Sequence, residues 1–225
     1  MPFTNDVDIL NYALTLEHLE TAMYREAIAS GKLSGQALEY ARAFGAEEAA
    51  HVDAIAATIT KLGGTPVKAR ASYKFPAFDT QANIMTFISL IEDTGVGAYL
   101  GQVGSVKSGE VLGAAASIYA IEALHAGAIR THLGRDANPN GAFEKPLTDA
   151  QVLAAAGPLL GPEAGAAPAP VTAPAAAPAP APAPAASTPA ALPRTGGVDL
   201  GTVAVIGTGV VALGEVIRRK VTKNS

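Results

Sequence analysis

The sequence predicts an all-α protein: a four-helix bundle with a long crossover between its second and third helices and a fifth helix behind them. Three observations carry that prediction. From about residue 4 to residue 160, apolar residues recur every three to four positions, the period of a helix with one buried face. Glycine, proline and small polar residues interrupt this period at intervals that suit bundle helices. One pattern also occurs twice, Glu17…Tyr24…Glu48-x-x-His51 and Glu92…Tyr99…Glu122-x-x-His125, with the second copy 74–75 residues after the first.

The first helix is expected over about residues 5–29, with Thr4 or Asn5 as its N-cap and Ser30-Gly31 as its stop. Its apolar stripe is Leu10, Ala13, Leu14, then Glu17, Thr21, Tyr24 and Ile28. The second spans about 35–62 and ends at Gly63-Gly64, with the stripe Ala41, Phe44, Glu48, His51, Ile55, Ile59 and Leu62. A long connection, 63–79, contains Pro66 and Pro76. The third helix covers about 80–106, with Met85, Ile88, Glu92, Gly95, Tyr99 and Val103 on its inner face. The fourth covers about 109–133 behind a Ser108 cap, with Ala115, Ile118, Glu122, His125 and Ile129. Short turns make antiparallel neighbours of helices one and two and of three and four, and the long connection permits a crossover along the bundle. Asn138-Pro139-Asn140-Gly141 is a loop, and a last helix at about 148–160 packs across the bundle. The domain, residues 4–160, is long enough to enclose a sizeable core.

Each stripe carries a charged or titratable group where an apolar one belongs. Burying a carboxylate costs several kcal/mol unless something offsets it. Four converging carboxylates therefore call for cations, and a pair of metal ions is the simplest source. One Glu-x-x-His is weak evidence, since i,i+3 pairs are ordinary surface features. Two of them, each matched to a lone core-facing Glu, form the ligand set of a carboxylate-bridged two-metal site in a helical bundle. The chain has four histidines, and two fall in these motifs.

Carboxylates bridge hard cations roughly 3.5–4 Å apart, and imidazole suits iron and manganese. Glu48 and Glu122 are the bridging candidates, with Glu17 and His51 completing one end and Glu92 and His125 the other. Which terminal Glu shares a metal with which His stays open at this point. Tyr24 and Tyr99 lie two turns beyond Glu17 and Glu92. They read as core tyrosines whose hydroxyls bond ligand carboxylates, with a redox-active tyrosine as the alternative. Glu20, one turn after Glu17, reads as a solvated or supporting group, and an extra, transient ligand is the alternative. Glu47 and Asp93 are sequence neighbours of ligands and point about 100° away, so they are taken as surface or supporting groups. His18 is expected to be exposed, and His132 to line a bundle end.

The net charge of −4 and the lack of a basic patch interleaved with aromatics argue against nucleic-acid binding. The absence of cysteine excludes disulfides, iron–sulfur clusters and thiolate zinc sites.

The stretches LTLEHLETAMY, EEAAHVDAI, LIEDTGVGAYL and AIEALHAGAIRTHL resemble the ferritin-like superfamily. The nearest group is the bacterial, plant and fungal ferritin-like proteins that include desiccation-related proteins, and Phe143-Glu144-Lys145-Pro146-Leu147-Thr148 resembles that group's ending. The resemblance covers roughly residues 5–160, and all six ligand positions are occupied. It implies a bundle with two iron or two manganese ions. It implies no single activity, because the superfamily includes iron-storing ferritins, peroxidases, manganese catalases and oxygenases. An oxidoreductase acting on oxygen or peroxide (ferroxidase, peroxidase or manganese-catalase-like) in stress defence is one expectation, and a homo-oligomer is compatible with it. A non-enzymatic envelope or desiccation-protection protein with a structural or vestigial metal site is the other.

The remaining segments concern location. Residues 161–191 are a Pro/Ala-rich linker, which forms an extended spacer. Leu192-Pro193-Arg194-Thr195-Gly196 matches the LPxTG signal, at which a sortase joins Thr to the cell wall or another envelope acceptor. Residues 198–217 form a weakly apolar segment just long enough to span a bilayer as a transmembrane helix. The basic tail, 218–225, stays cytoplasmic and places the bundle outside. The expectation is a C-terminally anchored envelope protein, although residues 1–10 show no secretion signal.

Overall fold

A computed structural model describes residues 3–162. The expected linker beyond Pro162, the motif Leu192 to Gly196, the apolar segment 198–217 and the basic tail lie outside the described residues. Among those described, the secondary structure is α1 (Asp6–Ala29), α2 (Gly35–Lys61), α3 (Gln81–Gln102), α4 (Gly109–His132), α5 (Asp149–Ala156) and a 3-10 turn at Gly157–Leu159. There is no strand, only an isolated antiparallel bridge between Tyr73 and Leu160.

Local chemistry sets the helix ends. Asn5 caps α1 by accepting from the Asp8 amide, and Ser108 caps α4 through the Val111 amide. Thr80 with Asn83, and Thr148 with Gln151, form reciprocal capping boxes on α3 and α5. The stop after α1 uses Gly31 at φ 66°, a left-handed conformation that costs glycine least. Two ends differ from expectation. α3 stops at Gln102 rather than Val106, because the amides of Lys107 and Ser108 are claimed by the Asp6 carboxylate at 2.8 Å each. α5 stops at Ala156 rather than reaching 160: Pro158 cannot donate to a continued helix, and Leu160 pairs with Tyr73 instead.

α1 packs on α2 and α3 on α4, with further contact between α1 and α3 and between α2 and α4. Two apolar clusters fill the bundle. One joins Met23, Tyr24, Ala41, Ile84, Ile88 and Ile129. The other joins Leu10, Leu14, Ile55, Ile59, Val111 and Ile118. On α1, α2 and α4 the residues between these clusters include Glu17, Glu48 and Glu122, so a polar layer lies between two apolar ones. Segment 62–80 leaves α2 beside the second cluster and enters α3 beside the first. It passes α1, where Asn11 accepts from the Val67 amide at 2.8 Å.

The buried surface of α1 is wider than its expected stripe. Leu16 and Leu19 pack outward against Ala98, Val152 and Ala156 under α5, so α1 is covered on two sides. Conversely Leu62 and Val103, expected on inner faces, are 45% and 48% exposed, because both lie just past the ends of their helices.

Candidate metal centre

Each bundle helix delivers one carboxylate to the polar layer. Glu17, Glu48, Glu92 and Glu122 have no solvent exposure, and His125 retains 2%. His51 Nδ1 lies 3.2 Å from Glu17, 3.0 Å from Glu48 and 3.3 Å from Glu122. His125 Nδ1 lies 2.8 Å from Glu48 and 3.6 Å from Glu92. Glu48 thus turns Oε2 to one histidine and Oε1 to the other.

Two overlapping groups result, each with ligand atoms within 4.8 Å of one another: Glu17, Glu48, His51 and Glu122, and Glu48, Glu92, Glu122 and His125. Glu48 and Glu122 are common to both. Within these groups Glu17 sits with His51, and Glu92 with His125.

The tyrosines cross over. Tyr24 on α1 donates its hydroxyl to Glu92 on α3, and Tyr99 on α3 donates to Glu17 on α1. Each therefore steadies the carboxylate of the other copy of the repeat. Gly45 on α2 makes room for Tyr24, since a Cβ there would lie 2.8 Å from the tyrosine Cβ.

Further residues outside the six-ligand pattern shape the layer. Glu20 is 2% exposed, which removes the solvated reading and keeps the supporting-group and extra-ligand ones. Gly95 makes space for it: a Cβ there would sit 2.8 Å from Glu20 Oε1 and 3.2 Å from Glu122 Oε2. Sequence carried a signal for this, because Glu20 and Gly95 occupy the same place in the two copies. Glu47 reaches in from a half-exposed position to bond His125 Nε2 at 2.6 Å, which fixes the ring so that Nδ1 faces the layer. Phe44 stacks on the same ring, 4.0 Å between centroids. The other polar neighbours stay outside: Asp93 pairs with Arg130 at 2.7 Å, and His132 contacts Gln36 at 3.2 Å. His18 is half-buried rather than exposed, with Nε2 3.3 Å from the Val67 carbonyl.

Crowding governs protonation. Burial raises Glu17 to about 7 despite its bonds to His51 and Tyr99. Burial followed by neighbouring carboxylates drives Glu20 and Glu122 well above the usual carboxylate range. Burial raises Glu92 as well. Glu48 is the exception: burial pushes it up, but His125 and His51 outweigh that and hold it at about 2. Burial opposes charge on the histidines, yet the carboxylates lift His51 to about 12 and His125 to about 11. Protons on acids and imidazoles thus supply the positive charge that balances the cluster.

The residues fit a pair of cations better than they fit one another. Glu48 Oε1, Glu92 Oε2, both oxygens of Glu122 and His125 Nδ1 are buried without a hydrogen-bond partner. His125 Nδ1 and Glu48 Oε1 approach to 2.8 Å yet lack hydrogen-bond alignment. Oxygen and imidazole donors in this number suit iron or manganese.

Residues 5–135 match the model of the ferritin-like domain. Among solved structures, the crystal structure of a conserved hypothetical protein from Mycobacterium tuberculosis aligns with a TM-score of 0.52 at 20% identity, covering 64% of this chain and 94% of that one. That likeness is one of fold. No curated protein matches the chain.

Proposed function

The chain belongs to the ferritin-like domain family, and on that premise we propose that it binds two iron or two manganese ions and acts on oxygen or peroxide in stress defence. The observation that carries the proposal is the set of five buried oxygen and nitrogen atoms without a hydrogen bond, in two groups that overlap at Glu48 and Glu122. In this reading Glu48 and Glu122 would be held in common by the two ions, with Glu17 and His51 completing one end and Glu92 and His125 the other. Bound iron or manganese supplies the electron-transfer capacity that carboxylates and imidazoles lack.

The chain's own residues do the rest. Tyr24 and Tyr99 hold a proton against Glu92 and Glu17 and orient both carboxylates. Glu47 orients His125. Glu20, buried beside Glu122, supplies one more carboxylate to hold a proton or to join the ligand set. The apolar clusters on both sides keep bulk water away from the layer, which strengthens every charge interaction inside it.

The setting we propose is the cell envelope. The Pro/Ala tract, the Leu192–Gly196 motif and the apolar segment 198–217 support a stalked, anchored domain. Protease added to whole cells is expected to remove the bundle, and a bundle that survives until lysis contradicts that setting.

The chemical proposal is tested by loading the full chain with ferrous or manganous ions and following oxygen consumption and peroxide loss. Turnover with at least one metal is expected. Bound metal that turns over neither oxygen nor peroxide overturns it and leaves a structural role.

A further inference from the structure

Phe44 does more than cover His125. Its ring also stacks on Tyr40, one turn earlier on α2, at 5.1 Å between centroids and 13° between planes. It meets the edge of Tyr24 at 6.4 Å and 83°. Both are favoured aromatic geometries. Tyr24 is 1% exposed, and its hydroxyl donates to Glu92 in the polar layer. Tyr40 is only partly buried and stands beside His132, 6.0 Å between ring centroids. Three rings in contact therefore lead from a carboxylate of the layer towards the surface. The other copy of the repeat builds no such path: the positions of α4 that repeat Tyr40 and Phe44 are Ala114 and Ile118.

A phenol gives up one electron readily when a base takes its proton, and Tyr24 already faces such a base in Glu92. The chain has neither tryptophan nor cysteine to compete for oxidation. The phenylalanine ring is far harder to oxidise, so Phe44 couples the two phenols by overlap and holds no charge itself.

We propose that Tyr24, Phe44 and Tyr40 form a one-electron path that carries oxidising equivalents from the polar layer to a water-soluble one-electron reductant at the surface. The oxidant is peroxide reacting at the layer, which rests on the function proposed above. Oxidised Tyr24 has lost one electron and passed its phenolic proton to Glu92. One electron then moves inward from Tyr40 through Phe44, Tyr24 takes its proton back from Glu92, and Tyr40 releases its own to water. The Tyr40 phenoxyl is restored by one electron from the reductant and one proton from water.

The test needs no metal. Because the chain lacks cysteine, Glu39→Cys, exposed and next to Tyr40, gives a single attachment point for a ruthenium photo-oxidant. A flash on the labelled, metal-free full chain, with an electron acceptor in solution, oxidises Tyr40 and runs the path in reverse. Transient absorption and freeze-quench electron paramagnetic resonance are expected to show a tyrosyl radical that decays slowly, resists added ascorbate and disappears in Tyr24→Phe. Phe44→Leu is expected to slow its arrival by tenfold or more, and Tyr40→Phe to cut its yield by tenfold or more. Tyr40→Phe keeps the ring and decides alone if Phe44→Leu does not fold. No radical on Tyr24, or one that forms undiminished in these variants, overturns the path. Turnover of oxygen and peroxide by the loaded chain decides the proposed function separately.

Discussion

His51 faces Glu17, Glu48 and Glu122 from a position still 12% exposed, whereas His125 is sealed at 2% beneath Phe44, its outer nitrogen tied to Glu47. The two ends of the polar layer come from one repeat, so the difference arises outside the ligand positions. Repeat-related to Phe44 and Glu47 on α2 are Ile118 and Ile121 on α4, neither of which can stack on or hydrogen-bond an imidazole as its counterpart does. Repeat-related to Glu20 is Gly95. An aromatic clamp and an outer carboxylate thus serve one histidine only, and Glu20 enters the layer beside the shared Glu122 in the space that Gly95 leaves. Near-symmetry in the ligands coexists with unequal ends in rigidity and access.

Glu48 tests what the ends share. Replacing it with Ala removes the carboxylate that faces both histidines and leaves buried imidazolium under-compensated, at a cost of about 3–5 kcal/mol in urea unfolding of the metal-free chain. Binding should fall at both ends together. Retention of one tight equivalent would show that Glu48 serves one end only.

Acidity tests the protons that stand in for cations. Glu17 sits at about 7 folded against 4.5 unfolded, so its contribution is complete below 4.5 and is lost as pH rises through 7. His51 and His125, at about 12 and 11 against 6.5, contribute fully below 6.5 and lose that contribution as pH rises through their folded values. Glu48, at about 2, works in the opposite direction but only as pH falls below 4.5. Between pH 5 and 8 the metal-free chain should therefore lose stability, by roughly 1.4 kcal/mol per pH unit for each group so displaced. Metal should compete with these protons and reduce the slope. Thermal melts with and without manganese measure both, and a metal-free Tm that rises from pH 5 to 8 would refute the assignment.

The remaining predictions separate the ends. His125→Ala should cost about 2 kcal/mol more than His51→Ala, because only the first leaves a sealed void under Phe44. Gly95→Ala should cost about 1–2 kcal/mol by driving a methyl against Glu20 and Glu122. That penalty should shrink in a Glu20→Ala background, so the pair is non-additive in a double-mutant cycle. Glu47→Gln has the smallest effect, roughly tenfold in metal affinity and confined to the His125 end. Equal losses at both ends would remove Glu47 from its assigned place.

The centre was legible in the sequence wherever a titratable residue replaced an apolar one in a helical stripe. That rule found Glu17, Glu48, His51, Glu92, Glu122 and His125, the same residues that converge in the structure. It offered Glu17 with His51 but could not fix that pairing, since periodicity fixes a face and not a neighbour on another helix. It left Glu20 between a solvated and a supporting group, because a Glu one turn from another Glu can face either way until Gly95 is seen opposite. It left Glu47 as a surface or supporting group, since a flexible side chain on an outward-facing position can still reach inward, as it does to His125. The short end of α3 was hidden because Asp6, about a hundred positions away, takes the amides that would have continued it. The breadth of the buried surface on α1 was hidden because α5 covers a second face.

The central claim is that Glu48 and Glu122 are shared by two metal ions. Elemental analysis of the full chain purified from its native host, beside Glu48→Ala and Glu122→Ala, tests it most directly. Two equivalents of iron or manganese per wild-type chain, with loss of both in each variant, is the predicted result. A wild-type chain without stoichiometric metal, or variants that keep both equivalents, would contradict it.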